Sequence, residues 1–278
     1  MEQEPHAGNP VHDDDELAFS QVFPIAELPP KPRTVGLTEI RARGLGTNQL
    51  HDLVEVWGSY IDAVKWPSAS QRLVRRGVLR AQHAFLRANA IDVSTGGMIE
   101  RVLPLGEPAV FAYLEECHAL GFTIVELSSG NITLPLEHKL RLVRTVVSMG
   151  FKAQPEVCMP RDDRQHMNAD RLLRECELAL EAGAWKVMIE EGGIFENVDA
   201  WRPEIIYRLT NRLDHRHLMF EASVPKAADW LIDNFGHEVN LFIDWSKIGV
   251  VAGHRAGLWG KYLLRVGSFR GSAPSPGA

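Results

Sequence analysis

The chain has 278 residues, 45% of them hydrophobic and 24% charged, with a formal net charge of −6. These values exclude a collagen-like, coiled-coil or wholly disordered chain, and the length allows one or two domains or one large α/β barrel. The acidic balance argues against nucleic acid or an anionic membrane as partner, but leaves a small anionic metabolite open, because a local site can be basic.

Residues 1–32 carry an acidic run and end in Pro29, Pro30 and Pro32, which predicts a solvated, disordered tail. Short apolar runs then follow at 35–40, 61–66, 90–93, 122–127, 152–157, 186–189, 218–220 and 240–243. Helical spacing fills the stretches between them. Gly121, Gly150, Gly183 and Gly236 close four of these helices, each just before an apolar run. A glycine there supplies the left-handed C-terminal turn without strain. Helix, glycine, strand is the rhythm of βα units, and eight units predict a (β/α)8 TIM barrel over residues 33–266. A doubly wound sheet is the alternative, but no glycine-rich nucleotide loop is present. Residues 267–278, rich in Gly, Ser and Pro, predict a second loose tail.

Three cysteines, Cys117, Cys158 and Cys176, make no disulfide framework and predict a reducing, cytoplasmic setting. Residues 1–10 show no signal-peptide core, and no run approaches eighteen apolar residues.

In a barrel, chemistry gathers where the strands end. Lys65 ends the second run. Glu126, Glu156, Glu190 and Glu221 end the fourth to seventh, spaced 30, 34 and 31 residues apart. Four carboxylates on one rim repel, so they call for a hard divalent cation such as Mg2+, basic partners, or protonation of one member. Rim acids also pair simply with neighbouring lysines or arginines. Lys65 is either a cationic substrate contact or the partner of a ring glutamate. Arg255 and His254 reach an anion or complement a helix dipole. Ser128, Ser129 and Gly130 present amides to an oxyanion or form a plain turn. Cys158 has no matched histidine, so packing outweighs a nucleophilic role. Trp201 and Trp230 serve either a contact between copies in a homo-oligomer or the core.

The segments GFTIVELSSGNITLP (121–135), GFKAQPEV (150–157), AGAWKVMIEE (182–191), LMFEAS (218–223) and NFGHEVNLFI (234–243) resemble the phosphosulfolactate synthase family. Weaker echoes are RGLG (43–46), YIDAVKW (60–66), STGGMIE (94–100) and HRAGLWG (254–260). Plant heat-stress-associated proteins share this pattern. The resemblance implies a Mg2+-dependent lyase that adds sulfite to phosphoenolpyruvate. It implies Glu126, Glu156 and Glu190 as metal ligands. Lys65, Glu156 and Glu221 become catalytic candidates, and Arg43, Ser128, Ser129, Gly130, Asn240 and Arg255 become substrate contacts.

The sequence departs from the family at several cations. The lysine pair usual after the strand-five Glu is replaced by Cys158-Met159-Pro160, with Arg161 the nearest base. Gly192-Gly193 stand where an Arg-Glu pair is common, and Trp259 stands where an Arg is common. The acids survive and many cations do not. A diverged enzyme using metal-assisted enolate chemistry on another substrate, or a non-catalytic stress-protective protein, are the alternatives.

Overall fold

The computed structural model describes residues 16–158, 168–224 and 226–258. Eight parallel strands pair in chain order and the eighth pairs with the first, so the sheet closes into a barrel. They are β1 (Thr38–Arg41), β2 (Ala63–Lys65), β3 (Asp92–Ser94), β4 (Ile124–Leu127), β5 (Lys152–Val157), β6 (Val187–Ile189), β7 (Leu218–Glu221) and β8 (Leu241–Asp244). Helices α1 (Thr47–Trp57), α2 (Arg76–Ala88), α3 (Ile99–Val102), α4 (Glu107–Leu120), α5 (Leu136–Ser148), α6 (Ala169–Glu181), α7 (Pro203–Thr210), α8 (Ala227–Phe235) and α9 (Ile248–Arg255) fall between and after the strands. This is the (β/α)8 TIM barrel that the glycine punctuation predicts. Gly121, Gly150, Gly183 and Gly236 have φ of 84°, 83°, 99° and 81°.

Most of the expected strand limits move by up to three residues, and two of the shifts have clear local reasons. Ala90 is not in a strand; its φ is 54° and its amide closes α2 on the Arg87 carbonyl. Arg41 belongs to β1, in register with Lys65 on β2. The expected tail over residues 1–32 also shortens at its inner end. The Ala26 amide donates to the Ala256 carbonyl at 3.0 Å, and Lys31 Nζ donates to the Gly58 carbonyl at 3.0 Å. Residues 1–15 and 259–278, which hold the rest of both expected tails, lie outside the described residues.

The main core fills the shell between strands and helices, with Val64, Val93, Val125, Leu114, Val143 and Leu231 fully buried. Each such side chain contributes about 1.5–3 kcal/mol on burial. Inside the barrel Leu37, Met188, Met219 and Phe242 make a small apolar cluster. Among the described residues no helix is long and apolar enough to cross a membrane. Cys117, Cys158 and Cys176 are free thiols. Trp201 and Trp230 both pack edge-on against Phe195, at 5.0 and 5.7 Å between ring centroids.

Trp66, directly after β2, is fixed from behind. Its indole N–H donates to His83 Nε2 at 2.9 Å, and His83 Nδ1 lies 2.8 Å from the Leu120 carbonyl. A carbonyl only accepts, so Nδ1 carries the proton and the ring is neutral. Burial holds His83 down at about 4. In the unfolded chain it takes up a proton below about pH 6.5, well before the folded state does. Between those values the unfolded state binds more protons, so stability falls as pH falls. Urea unfolding should show a loss of about 2 kcal/mol from this group between pH 7 and pH 5. In His83→Gln that part of the slope should vanish.

Candidate active site

A cavity of about 710 Å3 opens at the C-terminal ends of the strands. Strand alternation sets its wall, because residues two apart share a face. Arg41, Lys65, Glu126, Glu156 and Glu221 take inward positions near the ends of their strands and line the cavity with Glu190, just past β6, and Phe242. One step deeper, Gln154 Nε2 donates to Glu39 Oε2 at 2.8 Å. Both are completely buried.

Lys65 ties this floor together. Its ammonium contacts Glu126 Oε2, lies 3.7 Å from Glu39 Oε1, and sits 3.8 Å from the centre of the Phe242 ring. Burial works against its charge, but Glu126 and Glu39 outweigh that and hold Lys65 above the usual lysine range. Arg41 pairs with Glu221, and its guanidinium carbon lies 4.7 Å from the centre of the same Phe242 ring. Arg43 and Arg101 add cationic groups at the exposed mouth.

The opposite wall is acidic. Glu156, Cys158 and Glu190 bring one donor atom each within 4.8 Å of the others. The Cys158 thiol donates to Glu156 Oε1 at 3.4 Å. Burial pushes the Glu156 carboxyl well above its ordinary range, with Glu190, Glu126 and Glu221 adding repulsion. Burial, then Glu156 and Glu190, push the Cys158 thiol up. Glu191 is raised to about 7, by burial and then by Glu221, although Ser223 and Val224 amides both donate to its Oε2 at 2.9 Å. Behind the wall, Lys139 on α5 donates to the Glu156 carbonyl at 2.9 Å and to Glu175 Oε1 at 2.6 Å. This buried pair anchors the end of β5.

The cavity gathers most of the expected residues and leaves Ser129, Asn240 and Arg255 outside it. Lys65, Glu126, Glu156, Glu190, Glu221, Arg43, Ser128 and Gly130 all reach the cavity. Glu126, expected as a metal ligand, lines the cavity and pairs with Lys65. Glu221, expected as catalytic, holds Arg41. Ser129 turns away into a separate cavity of about 140 Å3 beside Lys139. Asn240 and Arg255 are at the wrong end of the barrel. Asn240 Oδ1 accepts from the Leu37 amide at 3.0 Å, and its Nδ2 donates to the Leu218 carbonyl at 2.8 Å. Arg255 donates to the Val239 carbonyl at 2.8 Å, to the Leu37 carbonyl at 3.2 Å, and to the His237 carbonyl. The reason is directional. Asn240 precedes β8, and α9 carries the chain back down roughly 12 Å from the end of β8. Arg255→Leu should therefore cost about 3 kcal/mol in denaturant unfolding through orphaned carbonyls. Its folded fraction should bind cavity ligands unchanged.

The sequence reading missed Arg41, Glu39, Phe242 and Arg101. Arg41 was one residue beyond the expected strand end. Its place opposite Lys65 emerges only when β1 and β2 pair. Asn131 was missed too; its side chain and amide both donate to Glu100, at 2.6 and 3.1 Å, pinning the loop after β4. Arg161 lies outside the described residues.

Residues 26–261 match the family model described as (2R)-phospho-3-sulfolactate synthase (ComA). This chain belongs to the phosphosulfolactate synthase family. It is 32% identical over 246 residues to the protein HEAT-STRESS-ASSOCIATED 32 of Arabidopsis thaliana, covering 80% of this chain and 86% of that one. It is 28% identical over 244 residues to the phosphosulfolactate synthase of Methanothermobacter thermautotrophicus, covering 85% and 94%. The YdjI aldolase of Escherichia coli shares the fold, with a TM-score of 0.52 and 8% identity over 76% of this chain and 75% of that one.

A divalent cation fits the acidic wall of this phosphosulfolactate synthase relative. Glu156 and Glu190 supply hard oxygen donors on facing positions. Gly130 leaves the space beside them open; a Cβ there would stand 3.6 Å from Glu156 Oε1 and 3.9 Å from Glu190 Oε2. An ion in that space would relieve the mutual repulsion of the carboxylates.

Proposed function

We propose that this chain is a lyase that joins the sulfur of sulfite to the methylene carbon of phosphoenolpyruvate, giving phosphosulfolactate. The polarity of the cavity supports this reading. Cations come from β1, β2 and α3, and the Glu156–Glu190 pair stands on the β5–β6 side. A substrate with phosphate at one end and carboxylate at the other matches that division.

In this reading Arg41, Arg43 and Arg101 hold the phosphate and the incoming sulfite by charge-assisted hydrogen bonds. Glu221 orients Arg41. The sulfur lone pair forms the C–S bond, and the electron pair of the carbon–carbon double bond moves toward the carboxylate. A Mg2+ held by Glu156 and Glu190 would stabilise the charge that collects there. Lys65 stabilises the same charge from the floor and gives a proton to the phosphate-bearing carbon. The proton lost from bisulfite recharges Lys65, so the reaction balances as phosphoenolpyruvate plus bisulfite.

The test is the purified full chain with phosphoenolpyruvate, bisulfite and Mg2+ or Mn2+. Loss of the enol absorbance and a new phosphorus resonance, both requiring bisulfite, are expected. No bisulfite-dependent loss with either ion overturns the sulfite reaction. One observation favours a second reading. Among the described residues seven glutamates line the cavity against four cationic side chains, which suits a less anionic nucleophile on the same enol substrate. The heat-stress name of the Arabidopsis relative is compatible with such a change of role.

A further inference from the structure

The donor set on the acidic wall is not all oxygen. We infer that Cys158 is a third ligand to the cation held by Glu156 and Glu190, and that its sulfur turns the site toward Co2+ or Zn2+ relative to Mg2+. The inference rests on the reading that this wall holds a cation, and it concerns which cation.

Three observations converge. The first is separation. Donors bound to one small ion at about 2.0–2.3 Å stand roughly 3–4 Å from one another. Cys158 Sγ lies 3.4 Å from Glu156 Oε1, and the three donors all fall within 4.8 Å. The second is the open space. A Cβ at Gly130 would sit 3.6 Å from Glu156 Oε1, 3.9 Å from Cys158 Sγ and 3.9 Å from Glu190 Oε2. Any other residue at position 130 would put carbon over the middle of the triangle. The third is support. Cys158 is the first residue past β5, and Lys139 grips the carbonyl of Glu156 just before it. The thiol is therefore held by a fixed strand end rather than a free loop.

Two carboxylates with water suit Mg2+, which keeps an oxygen shell. A sulfur donor adds little for Mg2+ and much for the softer ions. The thiol proton leaves to solvent when the ion binds.

Titration of the full chain with Co2+ tests the ligand directly. A near-ultraviolet sulfur-to-cobalt charge-transfer band is expected in the wild type and should be absent in both Cys158→Ser and Cys158→Ala. Circular dichroism of the two variants confirms that they fold. By calorimetry, Cys158→Ser should lower the ratio of Zn2+ to Mg2+ affinity by about 10–100-fold. One Co2+ bound and lost in Glu156→Gln, yet without the band in the wild type, overturns the sulfur ligand alone. No bound ion of any kind overturns the sulfur ligand and the metal wall together.

Discussion

Lys65→Met should abolish turnover and lower stability by about 3–5 kcal/mol, because removing one partner of a buried ion pair strands the other. The stranded group is Glu126, with Glu39 one step deeper; both side chains are almost fully enclosed. Phe242 covers one side of the ammonium. At this chain length the loss corresponds to a fall in Tm of roughly 10 °C. The double variant Lys65→Met with Glu126→Gln separates the two effects. Replacing the stranded carboxylate by a neutral amide should recover much of the Tm, while activity stays lost. Differential scanning calorimetry of the single and double variants reads this. A double variant no more stable than Lys65→Met would show that the pair is not what holds the floor.

Glu156→Gln should have the opposite signature. It should remove cation uptake and lower kcat by about 10²–10³-fold or more, the scale for losing a preorganised electrostatic group. Tm should hold or rise. The Glu156 carboxyl is pushed well up by burial and by Glu190, Glu126 and Glu221, so its charged form opposes folding. A group raised in this way costs stability as pH climbs past its ordinary range, because the unfolded chain releases its proton first. Gln keeps the shape and removes that cost. The expected pH–stability curve of the variant is flatter above pH 5, read by urea unfolding in the absence of metal. Stability paid into an active site is a general trade, and Glu156 is where this cavity makes it. A large fall in Tm without loss of ion binding would place Glu156 among structural groups instead.

These two residues also show what local sequence can carry. Lys65 and Glu156 each follow an alternating apolar run, and alternation alone predicts which face they share with the residue two before them. Position at the end of an apolar run predicts Glu126, Glu190 and Glu221 as rim residues, and all line the cavity. It did not predict their partners. Glu126 meets Lys65 and Glu221 meets Arg41 because barrel closure brings β4 to β2 and β7 to β1 across the mouth. Cys158 read as a lone thiol for the same reason. Its neighbour Glu190 is far along the chain and one strand away in space.

Strand period, helix spacing and glycine turns are short-range properties, so the number of βα units, their order and the acids that end them are legible along the chain. Which charges meet, and which end of the barrel each one serves, follows from long-range contacts. Asn240 and Arg255 sit close in sequence to β8, yet Asn240 binds the carbonyl that opens β7 and Arg255 one just before β8. A residue's nearness to a strand along the chain is set by covalent connection. Its distance from the active site is set by the direction in which the strand and the returning helix run, and by the closure of a sheet whose contacts are long-range.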